Sequence, residues 1–227
     1  MCCRRTTSIT ASIACCNGLL SSGYREFVPA KQARRTQAER TEATTTALVD
    51  AARELFAEDG YAATSLDAVA AKARVTKGAV YHHFAGKRQL FEAVFTREVD
   101  RLCAAMPTVY AARHDPWDAF EACCRAFLDE CLEPGLQRIM LLDALAAVGW
   151  DGVRRLEAPM IELMEVAIAR AVQAGQIAPR PPGPLAVLLY GALCETAMSV
   201  ARADNQKVAH RRALTELRHV LNGLRVA

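Results

Sequence analysis

An all-α protein of about nine helices is what this sequence predicts, and three observations carry that prediction. Apolar residues recur at helical spacing from Ala43 onward, beginning with the stripe Leu48, Ala52, Leu55 and Phe56. Only 12 residues are Gly and 9 are Pro, with 6% aromatics, which argues against a turn-rich β architecture. Apolar residues at 52% and charged residues at 23% give a globular balance, and 227 residues allow a small domain joined to a larger one with a sizeable core.

Residues 1–40 read as a basic or disordered extension. Arg4 and Arg5 ahead of Thr6 to Leu20 imitate a secretion signal, but Thr10, Ser12 and Asn17 break the apolar run. Residues 41–101 read as a small three-helix domain with the long helix that follows it. The first helix is expected at about 44–58, with Asp59-Gly60 as its stop. Thr64 or Ser65 caps the second, whose inward face is Leu66, Val69, Ala70 and Ala73, with Asp67 favourably placed in its first turn. After Arg74-Val75, Thr76 caps a third helix over 77–83, which Phe84 and Ala85-Gly86 end. The fourth begins near Lys87, sets Leu90, Phe91, Val94, Phe95 and Leu102 on one side, and is expected to end at Pro107. Residues 102–227 form a second domain, with helices expected at about 117–132, 136–148, 153–174, 184–203 and 206–224. Pro134-Gly135, Gly149 to Gly152, Gly175 and the Pro179 to Pro184 cluster separate them. No run reaches the ~18 apolar residues a membrane span needs, so a soluble, cytoplasmic protein is expected.

A net charge of +3 is too small to announce a nucleic-acid binder, yet its distribution is uneven. Residues 1–46 hold seven Lys/Arg against three Asp/Glu, 47–101 hold eight against eight, and 102–227 hold thirteen against fourteen. Inside the balanced middle block no acid occurs from Ala68 to Phe91, while Lys72, Arg74, Lys77, Lys87 and Arg88 all lie there. Three short helices ending in one of about seven residues have the form of a helix-turn-helix, and the chemistry suits DNA. Lys77, Gly78, Ala79, Tyr81, His82 and His83 offer short or bond-forming side chains to base edges, with Gly78 and Ala79 allowing close approach. Thr64, Ser65, Arg74, Thr76 and Lys87 join them as phosphate-contact candidates, and Val75, Val80 and Phe84 are expected to pack inward.

The run from Leu66 to Phe91 resembles the DNA-binding domain of the TetR family of bacterial transcriptional regulators. The resemblance rests on Gly60-Tyr61 after the first helix, Val75-Thr-Lys-Gly78 opening the third, Tyr81-His-His-Phe84 closing it, and Lys87 followed by Leu90-Phe91. It extends strongly from Arg35 to about Val99. Arg74 departs from the Gly common at that turn, and a left-handed backbone there costs a non-Gly residue about 1 kcal/mol. The resemblance implies a homodimer reading a palindromic operator, most simply as a repressor that a small apolar or amphipathic effector releases.

The second domain contains no G-x-S-x-G, no Gly-rich phosphate loop and no paired carboxylate motif, so neither catalysis nor a cofactor is expected. Phe120, Phe127, Leu141, Trp150, Met164, Tyr190 and Met198 are candidates to line an apolar cavity, with Met140, Leu142, Met160 and Leu163 beside them. Asp143 and Glu195 interrupt otherwise apolar helices, where they cap a helix, pair with an Arg such as Arg138, Arg155 or Arg202, or anchor a ligand. The stretch from Arg138 to Trp150, with Gly191 to Glu195, is similar to a TetR subgroup in which Leu145 is Pro and Cys194 is Asn or Asp. Leu185, Leu189, Ala192, Leu214, Leu217 and Leu221 on the last two helices are the candidate dimer interface, which the resemblance casts as a four-helix bundle. Nine cysteines fall in no C-x-x-C pair and have no His at ligand spacing. A redox switch through Cys123, Cys124 or Cys131 is the alternative reading, and a helical-bundle enzyme the remote one.

Overall fold

The computed structural model describes residues 36–226, in which every regular element is helical. The expected basic arm at Lys31, Arg34 and Arg35, and Cys2, Cys3, Cys15 and Cys16, lie outside those residues.

Helix α1 spans Gln37–Glu58, well before the expected start near residue 44. Thr36 and Glu39 form a reciprocal capping box, in which Thr36 Oγ1 accepts from the Glu39 N–H and Glu39 accepts from the Thr36 N–H. The first two turns are almost wholly exposed, so no apolar stripe marked them. Asp59-Gly60 is a sharp corner more than a stop, because Gly60, at φ 85°, opens the one-turn helix α2, Gly60–Ala63. Ser65 caps α3, Leu66–Lys72, and Thr76 caps α4, Lys77–His83, each hydroxyl accepting from an N–H three residues on. Phe56, Tyr61 and Phe91 meet at 5.1–5.9 Å between ring centroids and join α1, α2 and the helix that follows α4 in the core.

Helix α5, Lys87–Ala111, runs through Pro107 without stopping. The proline falls one turn from the helix end, where its missing N–H costs a single bond and the side chains on either side still have neighbours to pack on. At ~1.5 Å per residue the helix reaches about 37 Å, long enough to touch both domains. It packs on α1 at one end and on two later helices further along.

The rest of the described chain comprises α6, Pro116–Glu130; the short α7, Pro134–Leu136; a π-helical turn, Gln137–Leu142; α8, Ala144–Gln173; α9, Pro182–Ala201; and α10, Gln206–Asn222. The two helices expected on either side of Gly149 are one element broken at that residue, whose φ of 74° and ψ of 171° are not helical. Helices α6 and α8 pack on α5, α9 packs on α8, and α10 lies across α9 and α6. Trp117 is fully buried and donates its indole N–H to the Leu221 carbonyl at 3.0 Å, pinning α10. By length and composition α9 is the one described helix apolar enough to cross a membrane, and seven of its side chains are buried in this fold.

Candidate nucleic-acid interface and apolar cavity

Helices α3 and α4 are joined by a tight turn over 73–76. Its bonds, from the Arg74 N–H to the Ala71 carbonyl and from the Val75 N–H to the Ala70 carbonyl, form a Schellman motif. The motif demands a left-handed residue, and Arg74 takes that position at φ 56°, as its departure from Gly implied. Val80 and Phe84 are buried and Val75 half-buried, which turns the opposite face of α4 outward. Ser65, Arg74, Thr76, Lys77, Gly78, Tyr81 and His82 are exposed together on one surface, with Ala79 half-exposed among them. Tyr81 is 51% exposed, an unusual posture for a large ring with no partner to cover it.

Three residues assigned to this surface have other work. Thr64 is buried and donates its hydroxyl to the carbonyls of Gly60 and Leu55, at 2.8 and 3.3 Å, so it is not available to a phosphate. The Lys87 ammonium donates to the carbonyls of Tyr61, Ala62 and Thr64 at 2.8–3.1 Å and sits 4.5 Å from the Tyr61 ring centroid. Those three acceptors use all its protons and close the C-terminal end of α2. His83 is half-buried and hydrogen-bonds through Nδ1 to Thr45 Oγ1 at 3.0 Å, tying α4 to α1.

The +5 stretch also looks different in space. Lys72 pairs with Glu54 and Glu58, Lys77 with Asp67, and Arg88 with Glu92. The hydrogen bond that Lys72 donates to Glu54 raises the Lys72 pKa, and the one that Lys77 donates to Asp67 raises that of Lys77. Sequence distance hid Glu54 and Glu58, which come from α1, whereas Asp67 and Glu92 stand immediately outside the acid-free stretch. The exposed pairs are screened by water and salt, so a phosphate can replace either carboxylate.

The last turns of α5 and the inner faces of α6, α8 and α9 surround a cavity of about 330 Å³. Phe120, Phe127, Met164 and Tyr190 line it as expected, with Met160 and Leu163. Sequence reading missed Met106, Tyr110, Cys123 and Arg170; Tyr110 lies beyond Pro107, where the helix was expected to stop. Leu141, Asp143, Trp150, Cys194, Glu195 and Met198 do not line it. Trp150 is 67% exposed on the far side of the Gly149 break, and Glu195 points outward from α9. Cys194 and Glu157 approach at 3.9 Å beside Tyr190; burial raises the Glu157 pKa despite the opposing Arg154 charge. Asp143 instead joins the two domains: its carboxylate accepts from the Tyr61 N–H at 2.7 Å and lies 3.8 Å from Arg138.

The described cysteines are not primed for redox chemistry. Burial pushes the Cys123 thiol up to about 11 and Cys131 up to about 12, and raises Cys103, Cys124 and Cys194 as well. Reactive thiols are shifted the other way.

Of the candidate dimer residues, Leu185, Leu189 and Leu221 are buried in the protomer's own core, and Leu214 and Leu217 are half-buried. These leucines hold α9 and α10 to the rest of the chain. Ala192 is exposed, and it shares an outward stripe of α9 with Val187, Leu188 and Gly191; Leu188 is 67% exposed, and Val220 of α10 is also uncovered.

Residues 48–94 match the family model described as bacterial regulatory proteins, tetR family, and residues 117–224 match the tetracyclin repressor-like C-terminal domain. The Tn10 TetC protein of Escherichia coli is 30% identical over 142 residues, covering 62% of this chain and 72% of that one. The HTH-type regulator SrpR of Pseudomonas putida is 48% identical over 62 residues, 27% of this chain and 29% of that protein. A TetR-family regulator from Pectobacterium atrosepticum has a crystal structure that superposes with a TM-score of 0.74 at 35% identity, covering 85% of this chain and 99% of that one.

Proposed function

The chain belongs to the TetR family of DNA-binding transcriptional regulators, and from that premise we propose that it is a homodimeric repressor released from a palindromic operator by a small apolar or amphipathic effector. One observation carries the reading. Helix α5 begins at the reading head, where Lys87 holds α2, and its last turns supply Met106, Pro107, Tyr110 and Ala111 to the cavity. A molecule that prefers one position of those last turns biases the position of the reading head, and it acts only through that difference in affinity.

The dimer is supported by the outward apolar stripe of α9, which a two-fold mate covers with its own copy. Two recognition helices set about 34 Å apart meet successive major-groove faces of a palindrome. Ser65, Thr76 and Tyr81 serve the phosphates, while Lys77, Gly78 and Ala79 face base edges.

The test is fluorescence anisotropy on a labelled operator selected from random duplexes, together with a reporter under that operator. Repression predicts that the reporter falls when the protein is expressed and that Tyr81→Ala weakens binding to every sequence alike. Change at Ala79 is expected to alter which sequence is preferred. A Tyr81→Ala protein that binds as tightly as wild type contradicts the docking, and a reporter that rises makes the protein an activator.

A further inference from the structure

Arg170 is the one charged residue lining the cavity. Among the described residues no carboxylate comes within 4.0 Å of its guanidinium, which instead lies 5.5 Å from the Tyr110 ring centroid. Its neighbours on the cavity wall, Pro107, Ala111, Leu163 and Val166, are exposed, so this end is the mouth. Phe120, Cys124, Phe127, Met160 and Tyr190 are buried and form the floor. Two polar atoms bordering this cavity lack hydrogen-bond partners: the hydroxyls of Tyr110 and Tyr190, both shielded from solvent, the second on the side where Cys194 and Glu157 lie. Tyr190 is only 1% exposed. A buried hydroxyl without a partner has given up its hydrogen bond to water, and a ligand acceptor restores one.

Resting on the effector reading above, we propose that the cavity takes an amphipathic monoanion, with its carboxylate at Arg170 and the Tyr110 hydroxyl, a hydrocarbon body along the floor, and a second acceptor oxygen at the Tyr190 hydroxyl. The charge of Arg170 selects an anion over an amine, and a charge-assisted bond is stronger than a neutral one. Size follows from volume: at ~30 Å³ for a small group, the cavity holds roughly eleven non-hydrogen atoms. The apolar wall rejects a ligand charged at both ends, because the buried charge there has no partner.

The full chain is titrated by calorimetry with 7-oxooctanoate, octanoate, 2-octanone and octylamine. The oxo acid is expected to bind about tenfold or more tighter than the ketone, with octanoate between them and octylamine inert. Arg170→Gln brings both acids down to the ketone's affinity, and Tyr190→Phe erases the advantage of the oxo acid over octanoate. Arg170 is at the surface, so its variant is expected to keep the wild-type melting curve; should Tyr190→Phe melt early, the Arg170 variant and the ligand series still decide. Equal binding of acid, ketone and amine overturns the assignment, as does an unchanged preference in Arg170→Gln or binding by none of the four. Operator binding measured without ligand separates the two readings. If it is intact while the acids show no preference, the ligand class fails alone, and if it is absent the regulatory reading fails first.

Discussion

Arg74 is the one non-Gly residue among those described that holds a left-handed backbone, at φ 56°. The Schellman bonds around it fix the angle between α3 and α4, and the turn is made at the expense of local strain. Arg74→Gly is expected to stabilise the fold by about 1 kcal/mol, raising the urea midpoint. If the Arg74 side chain also meets a phosphate, the same variant lowers the slope of log affinity against log salt by about one. Glu157 is strained electrostatically instead. Burial raises its pKa in the folded chain, so the folded state binds that proton more tightly than the unfolded one and loses stability as pH rises through the window above the ordinary carboxylate value. Glu157→Gln is therefore expected to melt higher than wild type at pH 8 and to show no such gain at pH 4; a gain of equal size at both pH values means that the charge is not the cause. Thr64 and Lys87 carry a different lesson. Residue type and spacing suited them to phosphates, but the carbonyls exposed at the end of α2 are nearer, and a one-turn helix gave no apolar pattern by which it was foreseen.

Between elements, the decisive place is where α2 meets the π-helical turn and the start of α8. Gly60 is pressed against Arg138 and Asp143, and a Cβ there would stand 3.0 Å from both side chains. Asp143 bonds the Tyr61 N–H, and Arg88 at the start of α5 donates to the Val148 carbonyl at 2.9 Å, just before the Gly149 break. The reading head is thus fastened to the second domain by a few directed bonds, in addition to the length of α5. Asp143→Ala leaves a backbone donor without its acceptor, at a cost of about 1–3 kcal/mol. In operator titrations with and without effector, the variant is expected to bind DNA and to show a reduced shift; a full wild-type shift assigns all coupling to α5. Gly60→Ala strains both the backbone and this contact, and a lower melting temperature than that of Asp143→Ala is the expected result.

At the scale of the whole molecule, the outward stripe of α9 is the surface a single chain leaves unfinished. Leu188→Glu is expected to convert a dimer to a monomer by light scattering and to weaken operator binding by about 100-fold or more, since each reading head then binds alone. A dimeric Leu188→Glu protein places the interface elsewhere. Charge is also a property of the whole: the run of cations from Lys72 to Arg88 is largely answered by acids, which leaves Arg74 as the exposed cation of that run without an ion-pair partner among the described residues. What the sequence determined by itself were the features written in local physics. Hydroxyl caps at Ser65 and Thr76, the bounds of α4, the apolar stripes of α1 and α5, and the left-handed turn at Arg74 depend on neighbours within one or two turns. Only the tertiary structure decided the features that depend on residues distant in the chain. It sent Asp143 to the domain junction, exposed Trp150, turned Leu185, Leu189 and Leu221 inward, and set Arg170 and Tyr110 at the mouth of a cavity. The physical reason is that an apolar helical stripe specifies burial without naming the partner, and a charge specifies a need for a counterpart without saying which chain segment supplies it.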